Sequence, residues 1–209
     1  MSDRVRNILE WIYCIIIALV LALLFRYFIA TPTVVKQRSM YPTLQENQRL
    51  ILNRTSRITK KAPEVGDIIT FEAPSKVYTN LDADKSNPVA VYENEPEGVF
   101  GKFLYYILEV TKRSYIKRVI AVEGQHVVIK DNKVFINGVE LEEKYLADDV
   151  VTESPGFYDF IVPEGYIFAM GDNRTKSTDC RALGCIPVEK VEGIVTIRFW
   201  PFSEFGKIK

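Results

Sequence analysis

The chain of 209 residues is long enough for a membrane anchor and one globular domain of ordinary size. Hydrophobic residues make up 47% and charged residues 26%, which excludes bulk disorder. Lysine plus arginine and aspartate plus glutamate number 27 each, so no basic excess argues for a nucleic-acid partner, and three cysteines are too few for a disulfide scaffold.

Trp11 to Phe25 is an uncharged run rich in Ile, Leu and Ala, and Ile8 to Ala30 extends it, with Glu10 and Arg26 near the ends. At about 1.5 Å of rise per residue, such a helix just spans a hydrocarbon core. Trp11, Tyr13, Tyr27 and Phe28 lie where aromatic rings favour the membrane interface. A cleavable leader would have a shorter apolar run and a small-residue cleavage site, whereas here Arg26 and Phe28-Ile29-Ala30 follow the run. An uncleaved anchor is therefore expected. Arg4 and Arg6 precede it and Arg26, Lys36 and Arg38 follow it, so flanking charge does not set its orientation.

Short strands are expected after the anchor: Arg49 to Leu52, Asp67 to Phe71, Ile116 to Val122, Val127 to Ile129, Lys133 to Ile136, Phe160 to Val162, Tyr166 to Ala169 and Gly193 to Phe199. Asp131-Asn132 and Asn137-Gly138 are hairpin turn signals. The pattern predicts an antiparallel β domain. Pro74 to Gly98 reads as a long exposed loop. Phe100 to Val110 carries Phe103, Leu104, Ile107 and Leu108 at helical spacing. A short amphipathic helix there either packs on the sheet or touches membrane or substrate.

The available chemistry narrows by counting. His126, the single histidine, sits in the strand-like Gln125-His126-Val127-Val128 and reads as structural. His126 with Cys180 and Cys185 has no recognised zinc spacing, and no glycine-rich phosphate loop is present. A serine with a lysine base remains. Lysine ordinarily titrates near 10.4, but burial disfavours the ammonium and lowers that value. Lys117, between Ile116 and Val119, would be desolvated if it points inward, and could then take the proton of Ser39. Strand lysines are usually solvated and the chain has many serines, so these residues alone leave the pairing open.

Four ordered blocks go further. Ser39-Met40-Tyr41-Pro42-Thr43-Leu44, Gly66-Asp67-Ile68-Ile69-Thr70-Phe71, Tyr115-Ile116-Lys117-Arg118-Val119-Ile120 and Gly171 to Arg181 follow an apolar N-terminal span. Together they resemble the boxes of type I signal peptidases, the membrane-bound leader peptidases that use a Ser–Lys pair. The resemblance covers the chain except Pro74 to Ser114. It implies a mainly β fold: an N-terminal transmembrane helix, then an antiparallel β-sheet catalytic domain with a small inserted β subdomain. Residues 1–30 would be a cytoplasmic tip and anchor, and 31–209 an extracytoplasmic catalytic domain. Within it, 74–114 would be an insert of unknown role and 125–163 a reduced second β subdomain.

By the same resemblance, Ser39 would be the nucleophile and Lys117 the general base of an endopeptidase that removes signal peptides from secreted preproteins. Ser177 would hydrogen-bond the lysine amine. Asp179 and Arg181 would form one supporting ion pair and Asp172 and Arg118 another, with Gly171 lining the wall beside the lysine. The Ser39 N–H would serve the oxyanion. Met40, Ile68 and Phe71 are candidate walls of the pockets for small side chains. Gln37 and Cys180 depart from the family's usual residues; Cys180 and Cys185 could bond or stay free, and Cys14 is expected to be inert in the anchor. No metal or organic cofactor is expected. The expected partners are preprotein signal peptides and the bilayer, with the chain acting as a monomer in the cell membrane. Two rivals are an idle anchored β domain that binds secretory clients and a self-cleaving Ser–Lys autoprotease.

Overall fold

The computed structural model describes residues 3–79, 82–84, 86–93, 96–110, 112–148 and 150–208. The N-terminal run forms one helix, α1 (Asp3–Phe28). Its Trp, Ile and Leu side chains face outward rather than into protein, as suits a segment whose backbone bonds itself and whose side chains meet lipid. The helix stops two residues earlier than the apolar pattern suggested. After Ile29, Ala30 opens strand β1 (Ala30–Val34), whose Thr31 hydroxyl donates to the Arg26 carbonyl oxygen at 2.8 Å.

The remaining strands are β2 (Arg49–Asn53), β3 (Ile68–Glu72), β4 (Ser114–Val122), β5 (His126–Lys130), β6 (Lys133–Ile136), β7 (Val139–Glu140), β8 (Asp159–Ile161), β9 (Tyr166–Met170), β10 (Ile186–Pro187), β11 (Val191–Trp200) and β12 (Gly206–Lys207). The larger sheet runs β1-β2-β11-β3-β4-β9-β10, with β12 on β11, and its pairings are antiparallel. The smaller sheet, β7-β6-β5-β8, is also antiparallel and uses residues between His126 and Ile161. The fold is mainly β, with antiparallel sheets and an apolar N-terminal helix.

Strand alternation divides the core. Ile69 and Phe71 of β3 enter a large cluster with Val119, Phe157, Phe168 and Leu183. Ile68, on the opposite face, joins Val35, Met40, Leu44, Leu50, Leu52 and Val195 in a smaller one. Short helices α2 (Ser56–Thr59) and α4 (Cys180–Leu183) flank the sheet. Cys180 and Cys185 are buried free thiols.

Among its described residues the segment from Pro74 to Gly98 is a largely exposed loop, but a few residues anchor it to the core. The Ala90 N–H donates to the Cys185 carbonyl oxygen at 2.9 Å, Val89 bridges Cys185, and Tyr78, Ala83 and Tyr92 pack against the large cluster. Partial burial of the Tyr78 and Tyr92 rings holds these points down in an otherwise polar stretch. Beyond it, α3 (Gly98–Lys102) continues through Leu108 in π-helical geometry. Glu109 ends the run at φ 56°, its N–H donating to the Leu104 carbonyl oxygen.

Candidate active site

Ser39 lies in the turn that leaves β1. Met40 and Leu44, both buried in the smaller core, hold this turn, and the Leu44 N–H donates to the Met40 carbonyl oxygen at 2.8 Å. The Asn173 N–H donates to the Ser39 carbonyl oxygen at 3.0 Å and the Asn173 amide to that of Arg38 at 3.1 Å. The first and last sequence blocks thus meet across the site.

Lys117 is carried by β4, where it pairs with Ile69 of β3. Its Nζ lies 2.8 Å from Ser39 Oγ and 3.0 Å from the Ile116 carbonyl oxygen. Lys117 is 1% exposed and Ser39 7%. Burial lowers the amine to about 8, more than the opposing Asp179 carboxylate raises it. The ammonium also sits 5.2 Å from the Tyr115 ring centroid.

Two buried ion pairs brace this pair. Arg118 grips Asp172 through Nε at 3.0 Å and NH2 at 2.8 Å, and donates from NH1 to the Gly66 carbonyl oxygen at 3.0 Å. Arg181 grips Asp179 through Nε and NH2, each at 2.9 Å, and the Gly171 N–H donates to Asp179 at 2.9 Å. Burial works to raise the Asp179 carboxyl, but Arg181 and the Gly171 amide overcome it and hold it below the usual carboxylate range. A methyl group on Gly171 would overlap both Ser177 Oγ and the Ser39 carbonyl oxygen.

Ser177 does not make the expected bond to the lysine in this structure. Its buried hydroxyl instead lies toward Asp179, whose carboxyl it helps to hold low, without closing to a well-formed hydrogen bond, while Lys117 Nζ turns toward Ser39 and the Ile116 carbonyl. Nor does the structure bring all three expected pocket walls to the serine. A cleft of about 300 Å³ beside Ser39 is lined by Met40 with Val35, Gln37, Thr70 and Ile116. Phe71 packs in the large core behind its register partner Tyr115, and Ile68 is covered within the smaller one.

Thr70, a wall that pattern reading passed over, is the register partner of Ile116. Its hydroxyl is buried without a partner among the described residues. Arg174 was also assigned no role. Buried, it pairs with Glu143 and donates to the Gly171 carbonyl oxygen at 3.0 Å and to Thr152 Oγ1 at 3.0 Å. Its place in the last block, beside Asn173, was the available signal. His126 stays apart on β5, with Nε2 2.7 Å from Asp159.

The far end of the cleft is charged. Arg54 grips Glu109 in bidentate fashion at 2.8 and 2.9 Å, and Lys112 Nζ lies 2.9 Å from Glu192 and 3.3 Å from Glu72. Burial would raise the Glu109 carboxyl, yet the Arg54 hydrogen bond and charge keep it low. Glu109 and Lys112, which lie outside the four ordered blocks, therefore form part of the cleft.

A hydroxyl held against a desolvated amine and open to a cleft suits acyl transfer without histidine. The chain belongs to the family described as signal peptidase, peptidase S26, whose model matches residues 8–200. It is 33% identical over 199 residues to the probable signal peptidase I-1 of Synechocystis sp., covering 95% of this chain and 86% of that protein. It is also 33% identical over 214 residues to signal peptidase I of Bacillus licheniformis, covering 99% and 96%. Thylakoidal processing peptidase 1 of Arabidopsis thaliana is 32% identical over 187 residues, covering 90% of this chain and 47% of the plant protein. The chain thus spans about half the length of that plant relative.

Proposed function

We propose that this protein is a membrane-anchored serine endopeptidase that removes N-terminal signal peptides from secreted preproteins, cutting after small residues, with Ser39 as nucleophile and Lys117 as general base. The observation that carries the assignment is the 2.8 Å approach of a buried lysine amine to the serine hydroxyl. With its pKa near 8, an appreciable fraction of Lys117 is neutral at mildly alkaline pH.

In the reaction the neutral amine removes the Ser39 proton as Oγ attacks the scissile carbonyl. The Ser39 N–H donates to the oxyanion. The resulting ammonium protonates the departing amine, which leaves as the mature protein. Water, deprotonated by the same amine, then attacks the acyl-enzyme carbonyl, and the ammonium returns that proton to Ser39 Oγ as the signal peptide leaves with its new carboxylate. Asp172–Arg118 and Asp179–Arg181 hold the strands and turn that carry the pair, Gly171 keeps the wall beside it thin, and Ser177 turns its hydroxyl to the lysine during turnover. Small side chains before the cut fill the cleft at Met40, Val35 and Thr70.

In this reading residues 1–30 are a cytoplasmic tip and anchor, and 31–209 form the extracytoplasmic catalytic domain, with 125–163 as its small subdomain. Both members of the dyad come from one chain, so a monomer suffices, and the balanced charge fits the absence of a nucleic-acid partner.

The test is cleavage of a labelled preprotein by the detergent-solubilised chain beside Ser39→Ala and Lys117→Ala. Both variants should lose at least about a thousandfold in kcat/KM. Unchanged cleavage in either would overturn the assignment.

A further inference from the structure

The helical segment Gly98–Leu108 is at odds with its setting. It carries Val99, Phe100, Phe103, Leu104, Tyr105, Tyr106, Ile107 and Leu108, yet none of its residues, all of them described, is buried. Val99 is 89% exposed, Phe100 73% and the following Val110 70%. A short helix gains its stability in water mainly by packing an apolar face, and this one leaves Val99, Phe100 and Phe103 uncovered while Leu104 to Leu108 are only half covered.

What covers it is indicated by where the segment ends. The Leu108 carbonyl oxygen accepts from Arg26 NH2 at 3.0 Å, and Glu109 lies 3.5 Å from the same guanidinium. Arg26 is in the last turn of α1. Glu109 also receives Arg54 and Arg57, and Arg57 donates to the Tyr27 carbonyl oxygen at 3.1 Å and stacks 4.3 Å from the Tyr27 ring centroid. The segment is thus clamped to the final residues of the membrane helix. An adjoining cavity of about 610 Å³ is lined by Tyr27, Phe28 and Tyr106 together with Arg57, Lys60 and Lys61. Half-buried aromatics beside a lining in which five basic side chains outnumber Glu72, Glu189 and Glu192 match the boundary between acyl chains and anionic headgroups.

We propose that Gly98–Leu108 lies in the bilayer interface beside α1, with Val99, Phe100, Phe103 and Val110 in the acyl–headgroup boundary and Glu109 locking it to the anchor through Arg26, Arg54 and Arg57. The inference rests on the reading of α1 as a membrane span. It gives the insert the role of a second membrane contact, and because Glu109 also lines the cleft, that contact fixes the cleft relative to the lipid surface.

The test places nitroxide labels on the full chain in mixed phosphatidylcholine–phosphatidylglycerol vesicles. A label on Cys14 of the parent reports on α1. In a Cys14→Ser background, labels on Val99→Cys and Phe100→Cys report on the segment, and one on Val139→Cys, exposed on β7 of the smaller sheet, reports water. Labels at 99 and 100 should favour oxygen over a polar nickel relaxant, as at Cys14, while position 139 should show the reverse. Phe100→Glu should lower cleavage of a vesicle-bound preprotein about tenfold and leave that of a soluble peptide unchanged.

Water-like accessibility at 99 and 100, or shielding from both reagents as in a contact with client or second copy, would overturn the proposal. If Cys14 is itself water-accessible, the span reading fails as well. Lipid exposure at Cys14 without it at 99 and 100 rejects the insert contact alone.

Discussion

Gly171 and Ser39 are in direct apposition: the Ser39 carbonyl oxygen occupies space that any side chain at 171 would need. Gly171→Ala should therefore push the serine turn away from Lys117. We expect cleavage to fall at least about a hundredfold and the melting temperature to drop, since the obstructing atom is backbone. Preprotein cleavage and thermal unfolding measure both effects.

Lys117 sets the pH dependence. Its pKa of about 8 in the fold lies below its ordinary 10.5. Cleavage needs the neutral amine, so kcat/KM should rise with pH and level off above about 8. For stability, the unfolded chain binds the extra proton between these two values, so folding is favoured as pH climbs from about 8 to 10.5 and the penalty is complete below 8. Lys117→Met, inactive, should consequently be more stable than the parent near pH 7 by about 2–3 kcal/mol. Denaturant titrations at pH 7 and pH 10 check this, and the difference should shrink at the higher value.

Asp172 and Arg118 illustrate the opposite balance, since each satisfies a charge that burial would otherwise strand. Asp172→Ala leaves a buried guanidinium without its carboxylate and should cost about 3–5 kcal/mol. The readout is the shift of the unfolding midpoint, with activity lost in proportion to misplacement of β4.

Ser177 separates catalytic from structural roles. Its hydroxyl makes no well-formed hydrogen bond and lies only loosely toward Asp179, so Ser177→Ala should change stability little. If the hydroxyl supports the lysine during turnover, as proposed, kcat should still drop about 10–100-fold. Paired unfolding and steady-state kinetics decide the point; unchanged kcat would remove Ser177 from the machinery.

Much of the β architecture was legible because half-buried strands write their alternation into the chain, as Arg49 to Leu52 and Lys133 to Ile136 do. β1 was not: Ala30-Thr31-Pro32-Thr33-Val34 has weak alternation and adjoins an apolar run that masks its start. The residues brought around Lys117 were named from ordered blocks, since no local periodicity reports that Ser39 and Lys117, far apart in sequence, will meet. Phe71 was misplaced because an apolar residue in a strand does not disclose whether it ends in a core or on a cleft wall, and here Tyr115 stands between it and the cleft. The charged end of the cleft was illegible for a related reason: Glu109, Arg54 and Glu192 come from three distant segments, and each alone looks like an ordinary surface charge.

Only Ile29 separates the end of α1 from β1, and the Thr31 hydroxyl ties the strand back to Arg26. Such a joint has no slack. With α1 in a bilayer, the enzyme would behave as a caliper of fixed opening, cutting at one altitude above the lipid, and a client's cleavage point would be selected as much by its distance from the membrane as by the side chains that flank it.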